Sequence, residues 1–142
     1  MATYRSLIAK QLNHGKFKFI YVHNDGDIWL AGKLLVQNYD TEEKVDKLLA
    51  LGDLSWLGEK LEPDKSKPHT INNGQHDVTF SYMRDRGDTD TKPVTGSLKK
   101  MEETGFGRDC VNIYIFTHEG EWKITHPDII RLWTNLKGIL KL

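Results

Sequence analysis

The chain has 142 residues, and its 20 Lys and Arg are balanced by 20 Asp and Glu, so the formal net charge is zero. A hydrophobic share of 38% and a charged share of 28% belong to a globular chain the size of one domain, and exclude a disordered or fibrous one. Neutrality argues against extended nucleic-acid binding, which needs many Lys and Arg contacts to phosphate, and gives no support for attachment to an anionic membrane.

Residues 4–12 alternate loosely, His14-Gly15 supplies a turn, and 16–22 alternate clearly, which predicts a hairpin. Phe17, Phe19 and Tyr21 share one face of its second strand and Lys16, Lys18 and Ile20 the other, so one buried side covered by helices is expected. The strand pattern stops at the polar corner His23-Asn24-Asp25-Gly26. Asp27 then has the place of an N-cap for a helix over 28–39, with Ile28, Ala31, Leu34 and Leu35 at helical spacing. Gly32 inside that helix costs about 1 kcal/mol relative to alanine, which predicts a close approach to the sheet.

Asp40 with Glu43 has the form of a capping box for a second helix over about 41–51, which buries Val45, Leu48, Leu49 and Leu51 and ends at Gly52. Residues 53–58 read as a compact turn that inserts Leu54 and Leu57 into the core, with Trp56 as a lid or a packed aromatic. The stretch 62–75 is rich in Pro, Lys, Asn and Gly without periodicity, and reads as a surface loop. A strand over 77–83 ends in the charged corner Arg84-Asp85-Arg86-Gly87-Asp88, and 89–108 is irregular apart from a short helix around 97–103.

Cys110 is the single cysteine, so no intramolecular disulfide can form, and its place beside the apolar run 111–116 indicates a buried structural thiol. No stretch resembles a signal peptide or a membrane span, and a cytoplasmic location follows. Residues 111–116 and 121–124 flank Thr117-His118-Glu119-Gly120 as a second hairpin. Asp128, after Pro127, can cap a last helix carrying Ile129, Ile130, Leu132, Trp133 and Leu136. The expected fold is α+β, a mainly antiparallel sheet with two to three helices packed on one face, in a single domain spanning 1–142.

Several of these blocks occur together: Ile20 to Gly26, Gly32-Lys33-Leu34-Leu35, Leu51-Gly52-Asp53-Leu54-Ser55-Trp56-Leu57-Gly58, and Arg84-Asp85-Arg86-Gly87. In them the chain resembles a widespread family of small proteins from tailed bacteriophages and prophages. That family's pattern has an aromatic-Cys-His-Trp-Asp-Gly corner, an L-G-D-x-S-x-L-G turn and an R-D-R-G corner. Here Val22 replaces the cysteine and Asn24 the tryptophan, while His23, Asp25 and Gly26 match. The resemblance implies a phage protein, and with it a host-directed or counter-defence role in the host cytoplasm, without implying a particular chemistry.

His23, Asp25 and Asp27 alternate along an extended segment and can converge on one divalent cation. The simpler reading is that Asp25 closes a turn, Asp27 caps the helix and His23 bonds locally. An anion is better served by Arg84 and Arg86, whose guanidinium forks match phosphate. If the two corners lie at one end of the sheet, His23, Asn24 and Asp25 orient a polar ligand, Arg84 and Arg86 neutralise it, and Trp56 or Trp29 offers a stacking surface. Otherwise the arginines pair with Asp25, Asp85 or Asp88 and hold the corners together.

The sequence contains no G-x-S-x-G, Walker or dinucleotide motif, so it supplies no catalytic residue, metal site or cofactor. The leading expectation is a small phage-type binding protein that sequesters a phosphorylated or nucleotide-like ligand. The alternatives are an inhibitor or adaptor that binds a host protein, and a metal-dependent hydrolase.

Overall fold

A computed structural model describes residues 4–142. The strands are β1 (Ser6–Gln11), β2 (Lys16–Val22), β3 (Leu54–Trp56), β4 (Phe80–Ser81), β5 (Val94–Ser97), β6 (Asn112–Phe116), β7 (Trp122–Thr125) and β8 (Thr134–Asn135). The helices are α1 (Lys33–Asn38), α2 (Glu42–Leu49), α3 (Tyr82–Arg86), α4 (Leu98–Gly107) and α5 (Leu136–Leu140). No helix among the described residues is long and apolar enough to cross a membrane.

The sheet runs β4-β3-β2-β1-β6-β7-β8. β1 and β2 form the expected hairpin, in register from Ser6 opposite Val22 to Gln11 opposite Phe17, and β6 and β7 form the second one. Most pairings are antiparallel, but β1 pairs with β6 and β2 with β3 in parallel. The outer edge of β2 is shared: Lys16 to Phe19 pair with β5, while Val22 pairs with Leu54 of β3. This division leaves the last residues of β2 beside β3.

Three helices pack on one face, as expected. Ile8, Ile20, Val22, Tyr114 and Phe116 from the sheet meet Leu35 of α1, Val45, Leu48 and Leu49 of α2, and Leu136 and Leu140 of α5. The Phe17, Phe19 and Tyr21 face is buried as expected, with Leu7, Ala9, Ile113, Ile115 and Met101 of α4, but the expectation of one buried side falls short, because the opposite face with Ile20 and Val22 is core as well and is the one the three helices cover. The alternation of β2 reads half-polar only because Lys16 and Lys18 lie in the half of the strand nearer the hairpin turn. Beyond them Ile20 and Val22 are apolar, so both faces are core there.

Two further expectations are corrected by local capping. Chain 77–83 does not continue as a strand: it turns into α3 at Ser81, whose Oγ accepts from the Arg84 N–H at 3.1 Å while Asp85 Oδ2 accepts from the Ser81 N–H at 2.9 Å. The single last helix is instead a 3-10 turn (Pro127–Ile129), β8 and the short α5. Thr125 Oγ1 bonds the Ile129 and Leu132 carbonyls, the Trp133 indole N–H donates to the Ile130 carbonyl, and Asn135 caps α5. These bonds turn the chain back along β7.

The cap of α2 is Thr41, one residue later than Asp40, and Asp40 pairs with Lys44. Residues 28–38 are helical, one residue short of the expected end, but begin as a π turn (Ile28–Gly32), and Gly32 does approach the sheet: an added Cβ would lie 3.3 Å from the Tyr114 ring.

Candidate functional site

The polar corner at the end of β2 is held mostly by backbone. The His23 N–H donates to the Leu54 carbonyl at 3.0 Å, the Asn24 N–H to the Ser55 carbonyl at 2.8 Å, and Asn24 Nδ2 to Ser55 Oγ at 3.1 Å. Asn24 is therefore a brace between β2 and β3. Asp25 takes left-handed backbone, φ 58°. That turn interrupts the alternation which was to gather His23, Asp25 and Asp27 on one side. Among the described residues no three His, Cys, Asp or Glu side chains are placed to hold one metal ion. Gly26 is buried: its N–H donates to the Tyr4 carbonyl and its carbonyl accepts from the Tyr114 hydroxyl at 2.7 Å. Asp27 sits at the start of the π turn without making a capping bond.

The corner divides into two environments. Asp25 lines a cleft of about 380 Å³ with Leu34, Trp56, Glu59, His76 and Asp77. Three carboxylates there repel phosphate. Trp56 is one wall of this cleft: its indole N–H donates to the Val78 carbonyl at 2.7 Å and its ring packs on Phe80 at 5.0 Å. Asp25 and Trp56 thus belong to an acidic groove, separate from the surroundings of His23.

Arg84 is committed inside the fold. Nε and Nη2 fork onto Asp85 at 2.8 and 2.9 Å, Nη1 donates to the Leu61 carbonyl at 2.7 Å, and Nη2 donates to the Thr79 carbonyl at 3.0 Å. The Asp85 carboxylate is 7% exposed, and the buried His69 ring stands beside it. Arg86 forks onto Asp88 at 2.8 and 2.7 Å and lies over the Tyr82 ring, 4.2 Å from its centroid. The alternative in which these arginines pair with Asp85 and Asp88 describes the geometry, and all three side-chain nitrogens of Arg84 already donate within the fold.

The basic partners of His23 come from elsewhere. His23 lies on the α4 face, its ring 5.9 Å from that of Tyr21 two residues earlier. Arg108, at the end of α4, lies over the Tyr21 ring at 4.2 Å with Nη2 3.7 Å from Asp53 Oδ2. Arg5, just before β1, is 3.6 Å from Asp109. Both arginine side chains are partly exposed, 38% and 44%, and neither donates a side-chain hydrogen bond among the described residues. Burial, then the positive charges of Arg5 and Arg108, hold the His23 imidazole below its ordinary pKa.

Asp53 forms the floor of this face. Its Oδ1 accepts from the Tyr21 N–H at 2.9 Å, and burial pushes its carboxyl up despite that bond and the Arg108 guanidinium. Asp53 follows Gly52, whose left-handed φ of 72° and contact with the Thr91 carbonyl leave no room for a side chain. The L-G-D element therefore builds the β2–β3 junction under the site. A cavity of about 40 Å³ between Tyr21, Asp53, Thr104 and Arg108 lies at its foot. Cys110 is buried nearby, and burial pushes its thiol up to about 12, the state of a packed thiol rather than a nucleophile.

Sequence reasoning missed Arg5 and Arg108. They lie about a hundred residues apart and meet because β1 pairs with β6, where the Val111 N–H donates to the Arg5 carbonyl.

No protein-family model matches the chain, and no curated protein or solved structure matches it either.

Proposed function

We propose that the protein binds and sequesters a small phosphorylated or nucleotide-like ligand, at the face formed by Arg5, Tyr21, His23 and Arg108. The observation that carries this reading is the pair of guanidinium groups. They are partly exposed, donate no side-chain hydrogen bond among the described residues and lie close enough to act on His23. Guanidinium forks suit phosphate oxygens, and the Arg108 guanidinium already stacked on the Tyr21 ring is held ready at this face. Because the whole chain is neutral, such attraction is local and favours a small ligand over a polyanion. The tailed-phage resemblance supports a counter-defence use for this sequestration.

A thermal-shift screen of nucleotides, cyclic nucleotides and ADP-ribose derivatives tests the reading. A ligand at a hundred times its dissociation constant stabilises the protein by about 2.7 kcal/mol, and the response should be lost in Arg5→Ala/Arg108→Ala. A flat screen, or a response that the double variant keeps, contradicts it.

One observation favours the second reading, an inhibitor or adaptor for a host protein. Trp29 and Leu30 stand side by side on the π turn, 60% and 49% exposed, and an exposed tryptophan is a common interface anchor. In that case Trp29→Ala/Leu30→Ala abolishes a stoichiometric complex that Arg5→Ala/Arg108→Ala leaves intact.

A further inference from the structure

Resting on the site proposed above, we infer that it takes a terminal phosphate, a monoester or the end of a diphosphate, in preference to a diester linkage, and that His23 takes up a proton as the phosphate binds. Three cationic or protonatable groups reach this face from three separate parts of the chain: Arg5 from just before β1, Arg108 from the end of α4, and His23 from just after β2. A terminal phosphate offers three acceptor oxygens and a charge near two at neutral pH, whereas a diester offers two such oxygens and a single charge. Only the former can use all three groups.

His23 is the adjustable member. Its ring rests against Tyr21 and makes no side-chain hydrogen bond among the described residues, so its nitrogens are not committed to any of them. Among the described residues the charged groups that act on it are Arg5 and Arg108. Asp109 and Asp53 stand beyond those arginines, as their ion partners, and Tyr82 with Arg86 stands beyond Tyr21. In the free protein burial, and after it this positive surrounding, disfavours the charged imidazole. A dianion placed between the guanidinium groups reverses the local field and turns the imidazole into a third donor.

Calorimetric titration of the full chain with AMP, with 3′,5′-cyclic AMP and with inorganic pyrophosphate, in buffers of different ionisation enthalpy at about pH 7.5, separates the possibilities. AMP and pyrophosphate should bind roughly tenfold or more tighter than cyclic AMP, the worth of one further charge-assisted hydrogen bond. Their binding should be accompanied by uptake of a fraction of a proton that disappears in His23→Gln. That variant's melting temperature, measured alongside, separates loss of the imidazole from loss of the fold. Equal or tighter binding of cyclic AMP, or binding without proton uptake, overturns the inference and leaves the anion site standing. If none of the three binds at millimolar concentration, both the inference and the proposed site fall.

Discussion

Gly26 stands where the chain leaves the sheet, and its surroundings explain why the corner carries glycine. A Cβ there would lie 2.5 Å from both the Tyr4 carbonyl oxygen and Ser6 Oγ. Gly26→Ala should therefore destabilise the protein by about 1–3 kcal/mol in urea unfolding, as overpacking does. His23 is argued from its charge. Its pKa in the folded protein lies below the ordinary 6.5, so between the two values the unfolded chain holds a proton that the folded one lacks. The resulting stability is complete above about pH 6.5 and is lost as pH falls through that window. His23→Asn should lose less stability than the wild type between about pH 7 and about pH 5; an unchanged difference would mean that the imidazole is not held neutral.

At the scale of elements, the second charged corner is a brace. Arg84 ties α3 to the Leu61 and Thr79 carbonyls and neutralises a nearly buried carboxylate. Removing it leaves Asp85 without a counter-charge, so Arg84→Ala should cost about 3 kcal/mol, while Arg86→Ala, at an exposed pair, should leave the urea midpoint near that of the wild type. Both hairpins and α2 were legible because apolar spacing and turn residues agree there: 16–19 alternate polar and apolar before the apolar end of β2, and Val45, Leu48 and Leu49 share one helical face. The strand expected over 77–83 and the single last helix were not. In each case a side chain satisfies the backbone locally, Ser81 and Asp85 in one, Thr125 and Asn135 in the other. Hydrophobic period carries no record of such bonds.

For the molecule as a whole, the site depends on layers that meet only in three dimensions. His23 was legible from the sequence as the polar residue ending an apolar strand, but its partners were not, since no local pattern relates Arg5 to Arg108. The loop ends are brought together by β1 pairing with β6 and by α4 crossing the face of Phe17, Phe19 and Tyr21. Met101, fully buried, anchors α4 there. Met101→Ala should cost about 2–5 kcal/mol and, by loosening α4, weaken the proposed phosphate binding as well. The same three-dimensional placement sends Asp25 and Trp56 into the acidic groove and leaves Arg5 and Arg108 beside His23.

The most direct measurement is amide chemical-shift mapping of the labelled protein during titration with a phosphorylated ligand that raises its melting temperature. The shifts should concentrate at Arg5, Tyr21, His23 and Arg108, with the Asp25 and Trp56 groove silent. Shifts centred on that groove, on Arg84, or on Trp29 and Leu30 would contradict the assignment of the binding face.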